Sequence, residues 1–188
     1  MELLADKIVT YIVTEDSEWT ELELMKMKLG VQVLFHNIFM TGLILMFAKI
    51  LGIFKNSVIL FATFGILKMT AGGVHFQKSY QCLFATGLFI FSGVWLSGKM
   101  CLSIGTVIAV YLISLMIFWL VAPQGTQNNP ISEKNYQKLK YRTMMVGVSY
   151  FIYTIYRFAL GKEISYLLLI AVAFEAVSLL PEKFRKKY

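Results

Sequence analysis

The stretch "IGTVIAVYLISLMIFWLVA", Ile104–Ala122, runs without one charged residue. A second block, "VLFHNIFMTGLILMFA" at Val33–Ala48, is nearly as apolar. Each is close to the ~20 residues that a helix needs to cross the hydrocarbon core of a bilayer. Backbone polar groups in lipid must be satisfied within the segment, which restricts such runs to helices or closed barrels. A barrel would show alternating segments of about ten residues, and none is present. Charged residues make up only 15% of the chain against 57% hydrophobic, where a soluble domain carries roughly 25% charged. The sequence therefore predicts an all-α integral membrane protein and excludes an ordinary soluble fold.

Six apolar segments follow one another: Val31–Ala48, Ile50–Leu67, Gln81–Leu96, Leu102–Val121, Thr143–Leu160 and Ile164–Leu180. Lys55-Asn56-Ser57 interrupts the second, so it is expected to be short, tilted or broken. Before them, Met1–Val13 and Glu18–Gly30 read as two amphipathic interfacial helices. Asp16 or Ser17 would cap the second, and Lys26 and Lys28 would suit its C-terminal end. No cleavable leader is expected, because acidic residues are scattered through Met1–Gly30. The expected organisation is one membrane domain over 1–188. Interfacial helices would occupy 1–30, the transmembrane bundle 31–181, and a basic cytoplasmic tail 182–188.

The charge of +7 needs no nucleic acid. Thirteen of the 18 Lys and Arg residues fall on one side of this arrangement. The positive-inside rule then puts both termini, Lys68–Lys78 and the polar stretch Pro123–Arg142 in the cytoplasm of a multi-pass cell-membrane protein. Basic residues beyond Pro130 would rest on anionic lipid headgroups or hold an acidic peptide. With only Cys82 and Cys101 present, no disulfide framework is implied.

The polar break "MTAGGVHFQKSYQC", Met69–Cys82, carries the reactive side chains. An imidazole can generate a thiolate by taking its proton. On one straight helix, His75 and Cys82 would stand about 10 Å apart, and proton transfer needs roughly 3 Å. The chain must therefore turn between them if they act together. Gly72-Gly73 can end the preceding helix. Ser79 can cap a new one with Cys82 in its first turn, where the helix dipole favours a negatively charged thiolate. The residues alone leave a catalytic pair and an incidental one both open. A metal site is not expected, since zinc asks for three or four close ligands and only the distant His36 and Glu175 remain. Those two polar groups lie within apolar segments, where they should face the bundle interior and bridge helices.

"LKMTAGGVHFQKSYQC" before an apolar segment, and "APQGTQNNPI" before a basic stretch, together resemble the accessory gene regulator B (AgrB) family over essentially the whole chain. The resemblance implies a membrane cysteine endopeptidase of Gram-positive quorum sensing. It maps His75 and Cys82 onto the catalytic pair and names an AgrD-like precursor peptide as substrate. Cys82 would attack the scissile carbonyl to form an acyl thioester. A thiol or hydroxyl inside the peptide would then close a macrocyclic (thio)lactone. No nucleotide motif or cofactor is called for. Lys68, Gly72, Gly73, Gln77, Ser79 and Gln81 are candidate substrate or oxyanion contacts, and Lys134, Lys138, Lys140 and Arg142 candidates for an acidic precursor tail. The family often has arginine where this chain has Lys68, and some relatives carry lysines where it reads Gln127-Asn128-Asn129. Membrane lipid is an expected partner, and the resemblance is compatible with a homodimer. The competing class is a non-enzymatic transporter or export partner for a small peptide, which would not need the Cys–His pair.

Overall fold

The computed structural model describes residues 20–73, 79–125, 131, 133–161 and 164–185. Six helices account for most of them: α1 Glu21–Ile50, α2 Phe54–Ala71, α3 Ser79–Ser97, α4 Ile104–Val121, α5 Glu133–Ala159 and α6 Ile164–Arg185. No strand occurs among the described residues; a single parallel bridge pair joins Gly72 and Gln124. Three helices are long and apolar enough to cross a membrane, over Glu23–Ile50, Tyr80–Ser97 and Ile104–Val121. The apolar stretch Ile164–Leu180 is shorter. Their outward side chains are large hydrophobics, among them Leu112, Ile113, Met116 and Leu120 on α4. This is an all-α membrane protein, as the uncharged blocks require.

The chain divides into two compact units, Met1–Phe47 and Ala48–Tyr188. In the first, α1 starts at a capping box. The Thr20 backbone N–H donates to Glu23 Oε2 at 3.0 Å, and the Glu23 N–H donates back to Thr20 Oγ1 at 3.4 Å. Two helix-start donors are thereby satisfied. Asp16 and Ser17, the caps expected from sequence, lie outside the described residues, as does Met1–Val13. The expected break near Gly30 does not occur: α1 passes through Gly30, beside which there is open space. One interior glycine costs a helix only about 1 kcal/mol relative to alanine. The strong helix formers before it, Met25 to Leu29, carry the helix through.

The second unit is a bundle centred on α6, which packs against α2, α3, α4 and α5. Leu169, Val172, Ala176 and Leu179 form the inner stripe of α6 at helical spacing. They meet Leu67 and Ala71 of α2 and Val107, Tyr111, Phe118 and Ala122 of α4. Phe64, Phe89 and Phe174 tie α2, α3 and α6 together, with ring centroids 3.9–5.5 Å apart. Helices approach closely where a glycine replaces a side chain. A Cβ on Gly93 would stand 2.7 Å from Leu60 Cδ2, and one on Gly147 2.8 Å from Leu115 Cδ2. Small residues at contacts are how membrane helices gain packing energy.

Of the alternatives expected for the second segment, a break does not occur: α2 is continuous, with Lys55-Asn56-Ser57 in its first turn, and it is not among the three helices long and apolar enough to cross a membrane. Its 18 residues span about 27 Å at the helical rise. Polar residues are tolerated there because helix ends already present unpaired N–H groups. The polar stretch Pro123–Arg142 is helical in its basic part, where α5 begins at Glu133. Leu139, Thr143, Val146 and Gly147 form a partly or fully buried stripe that holds this end of α5 to the bundle.

Candidate functional site

Both sequence motifs come together at the C-terminal end of α2. The helix stops at Ala71, and Gly72 and Gly73 take φ of 81° and 99°, a region that essentially only glycine enters at low cost. The Gly72 N–H donates to the Lys68 carbonyl at 3.0 Å. On the other side, α4 ends at Val121 and the chain extends through Ala122 and the buried Pro123 to Gln124. There the Gln124 N–H donates to the Ala71 carbonyl at 2.9 Å. The "AGG" of one motif is thus stitched to the "PQ" of the other.

This contact explains why both positions are glycine. A Cβ on Gly72 would run into the backbone carbonyl of Gln124. One on Gly73 would lie 3.0 Å from Ser178 Oγ and 3.4 Å from both Lys68 Nζ and Leu179 Cδ2. Beneath the turn sits Glu175 of α6, with none of its surface exposed. Ser178 Oγ donates to Glu175 Oε2 at 3.0 Å, and the Lys68 ammonium is the charged group whose field reaches that carboxyl. Lys68 Nζ also lies 5.7 Å from the Phe64 ring centroid. Two buried oxygens beside the turn have no hydrogen-bond partner, Glu175 Oε1 and Gln124 Oε1.

Cys82 is the fourth residue of α3, in its first turn, and its side chain is exposed, as is that of Gln81. Ser79 is the first helical residue. His75 and Gln77 lie outside the described residues. Gly72, Gly73 and Lys68 are brought together at the α2 terminus. The four basic candidates on α5 do not form one group. Lys138 and Arg142 are exposed and line a shallow hollow with Asn135 and Leu139. Lys140, two residues from each, points the other way and lies 4.5 Å from the ring centroid of Trp119 on α4. Lys134 is in the first turn of α5.

Sequence reading missed Gln124 and Ser178, and it placed Glu175 only as a helix bridge. A signal was available for the last of these. Lys68 and Glu175 are opposite charges within or bordering apolar segments, and such charges seek each other in membrane proteins. Nothing in the spacing of "APQG" points to a glycine turn so far back along the chain.

Fold and site define a helical membrane protein that presents a thiol at the start of one helix and a glycine turn over a buried carboxyl at the end of another. The chain belongs to the accessory gene regulator B (AgrB) family, whose model matches residues 5–179. It is 27% identical to an AgrB-like protein of Clostridium acetobutylicum over 98% of this chain and 88% of that one. It is 25% identical to accessory gene regulator protein B of Staphylococcus aureus, over 97% and 94% of the two chains. The corresponding protein of Staphylococcus saprophyticus is 23% identical over 88% and 86%. No solved structure matches.

Proposed function

We propose that the protein is a membrane cysteine endopeptidase of a quorum-sensing system, cutting the C-terminal tail from an AgrD-type precursor and cyclising what remains. The observation that carries this reading is the family match over residues 5–179, with the thiol of Cys82 exposed in the first turn of α3. In this mechanism His75 takes the Cys82 proton and the thiolate attacks the scissile carbonyl. The C–N bond breaks, His75 returns its proton to the leaving amine, and the peptide is left as a thioester on Cys82. A thiol or hydroxyl within the bound peptide then attacks the thioester, closes the ring and frees Cys82. Thiol–thioester exchange is nearly thermoneutral, so ring closure itself needs no nucleotide. Holding the internal nucleophile against the thioester gives it the effective concentration to outrun water. Amide N–H groups at the start of α3 are the natural donors to the oxyanion. The site faces the cytoplasm, where the basic residues of the chain collect.

The test is co-expression with the precursor peptide, following the peptide's mass beside the parent protein, Cys82→Ala or His75→Ala. Tail removal by the parent alone, with a thioester adduct on Cys82, supports the reading. Equal processing by all three overturns it and leaves a peptide transporter as the account.

A further inference from the structure

At the end of the bundle away from the glycine turn, α5 finishes while α4 and α6 begin. Arg157, in the last turn of α5, is half-buried, and its Nε is fully shielded with no hydrogen-bond partner. It follows the buried Thr154 on the same face of the helix, one turn further on. Thr154 meets Tyr111 of α4 at 2.6 Å, which fixes the level. From Tyr111, α4 extends toward this end as far as Ile104, about 10 Å, whereas Arg157 stands only about 4.5 Å beyond Thr154. The arginine is therefore rooted below the end of a wholly uncharged helix. Its Cζ lies 5.9 Å from the centroid of the Tyr153 ring, one turn back, so the side chain leans inward along α5. Charge at such a depth seeks a partner. Among the described carboxylates of this unit, Glu133 and Glu182 lie at the opposite end, and Glu175 sits beneath the glycine turn, where Lys68 is the charge that acts on it.

A lipid phosphate fits this setting better than a dissolved anion. The helix ends and turns on this side carry Lys49, Lys55, Lys99 and Lys162 against a single acid, Glu163, which itself lies outside the described residues. Lys99 Nζ lies 4.2 Å from the centroid of the Trp95 ring, and such a basic head over an indole marks a membrane boundary. Beside Arg157 the outward side chains are Ile152, Tyr153, Tyr156 and Leu160, apolar bodies with two phenol hydroxyls. A dissolved anion would have to leave water to reach a guanidinium rooted there, whereas the phosphate of a phospholipid already hangs at that boundary on its acyl chains. The planar guanidinium presents paired N–H donors that match two phosphate oxygens, and basic positions between membrane helices take anionic headgroups in this way. We propose that Arg157 is the headgroup site of an anionic phospholipid, its guanidinium holding the phosphate while the acyl chains lie along Ile152, Tyr156 and Leu160.

The test uses the full-length protein and two readouts that do not depend on cleavage. Native mass spectrometry counts phosphatidylglycerol retained through detergent exchange, and thermal unfolding is followed in nanodiscs of phosphatidylcholine alone or with added phosphatidylglycerol. The parent should retain one phosphatidylglycerol per chain and unfold at higher temperature when that lipid is present. Arg157→Gln should lower the retained lipid roughly tenfold and remove the difference between the two nanodiscs. Arg157→Lys, which keeps the charge and loses the fork, should fall between the two. Lys99→Gln, at the same boundary, should leave both readouts at the parent values. Retention by Arg157→Gln equal to the parent's overturns the proposal, as does an equal loss in Lys99→Gln, which would make the attraction one of diffuse surface charge. Inorganic phosphate that reproduces the stabilisation in phosphatidylcholine alone would make the ligand a dissolved anion and also overturn it. So would Glu163→Gln matching Arg157→Gln in both readouts, since the guanidinium would then serve an ion pair within the chain. Should Arg157→Gln not fold, parent-like retention by Arg157→Lys has the same force.

Discussion

Gly72 is the residue at which local geometry and long-range contact are hardest to separate. Its φ of 81° already disfavours any other residue, and its missing Cβ is where the Gln124 carbonyl sits. Gly72→Ala should therefore lower stability by about 1–3 kcal/mol, read as the shift in denaturant midpoint in micelles. Gly65, in the interior of α2 with open space beside it, is the counterpart. There alanine removes only glycine's helix penalty, and the midpoint should rise by the equivalent of roughly 0.5–1 kcal/mol. The pair also marks the limit of what residues disclose in isolation. "AGG" could be read as a helix end from sequence, because termination needs only the glycines' own freedom. What lies against them could not, because Gln124 and Ser178 arrive from other helices. Glu175 was legible as a polar group needing a partner, yet its lone unpartnered oxygen exists only once the helices have packed.

Among the elements, α4 and α5 are joined by a buried hydrogen bond of 2.6 Å between the Tyr111 hydroxyl and Thr154 Oγ1. Its two ends are not equivalent. Tyr111→Phe leaves Thr154 free to donate to the carbonyl one turn back in its own helix, so the loss should be about 1 kcal/mol. Thr154→Val leaves the tyrosine hydroxyl with only the 3.4 Å contact to the Tyr150 carbonyl and should cost more, roughly 1–3 kcal/mol. Unfolding of the two variants under identical conditions checks the order. Element boundaries were legible where apolar length decided them, as at the ends of α4. They were not where local composition misleads. Lys55-Asn56-Ser57 leaves a break and an intact helix both open from sequence and occupies a first turn, and nothing in the basic run after Pro130 announces that α5 opens at Glu133. A helix end tolerates a polar run, so composition alone does not separate it from a chain break.

Across the whole molecule, the excess of basic charge is divided by the faces of α5. Lys138 and Arg142 face outward together, whereas Lys140 is engaged with Trp119. If an acidic precursor tail is gathered there, Lys138→Glu with Arg142→Glu should raise KM about tenfold and flatten its dependence on salt. Lys140→Ala should leave KM near the parent value. Cleavage assays from low to physiological ionic strength distinguish the two. The stitch between Gly72 and Gln124 has a consequence of another kind, in the order of synthesis. A ribosome delivers His75 and Cys82 long before it reaches Gln124, and it reaches Glu175 and Ser178 near the end. Through most of its birth the nascent chain carries a thiol and an imidazole with nothing to close the turn upon. The turn that follows α2 is therefore completed only after α4, and then α6, have been made.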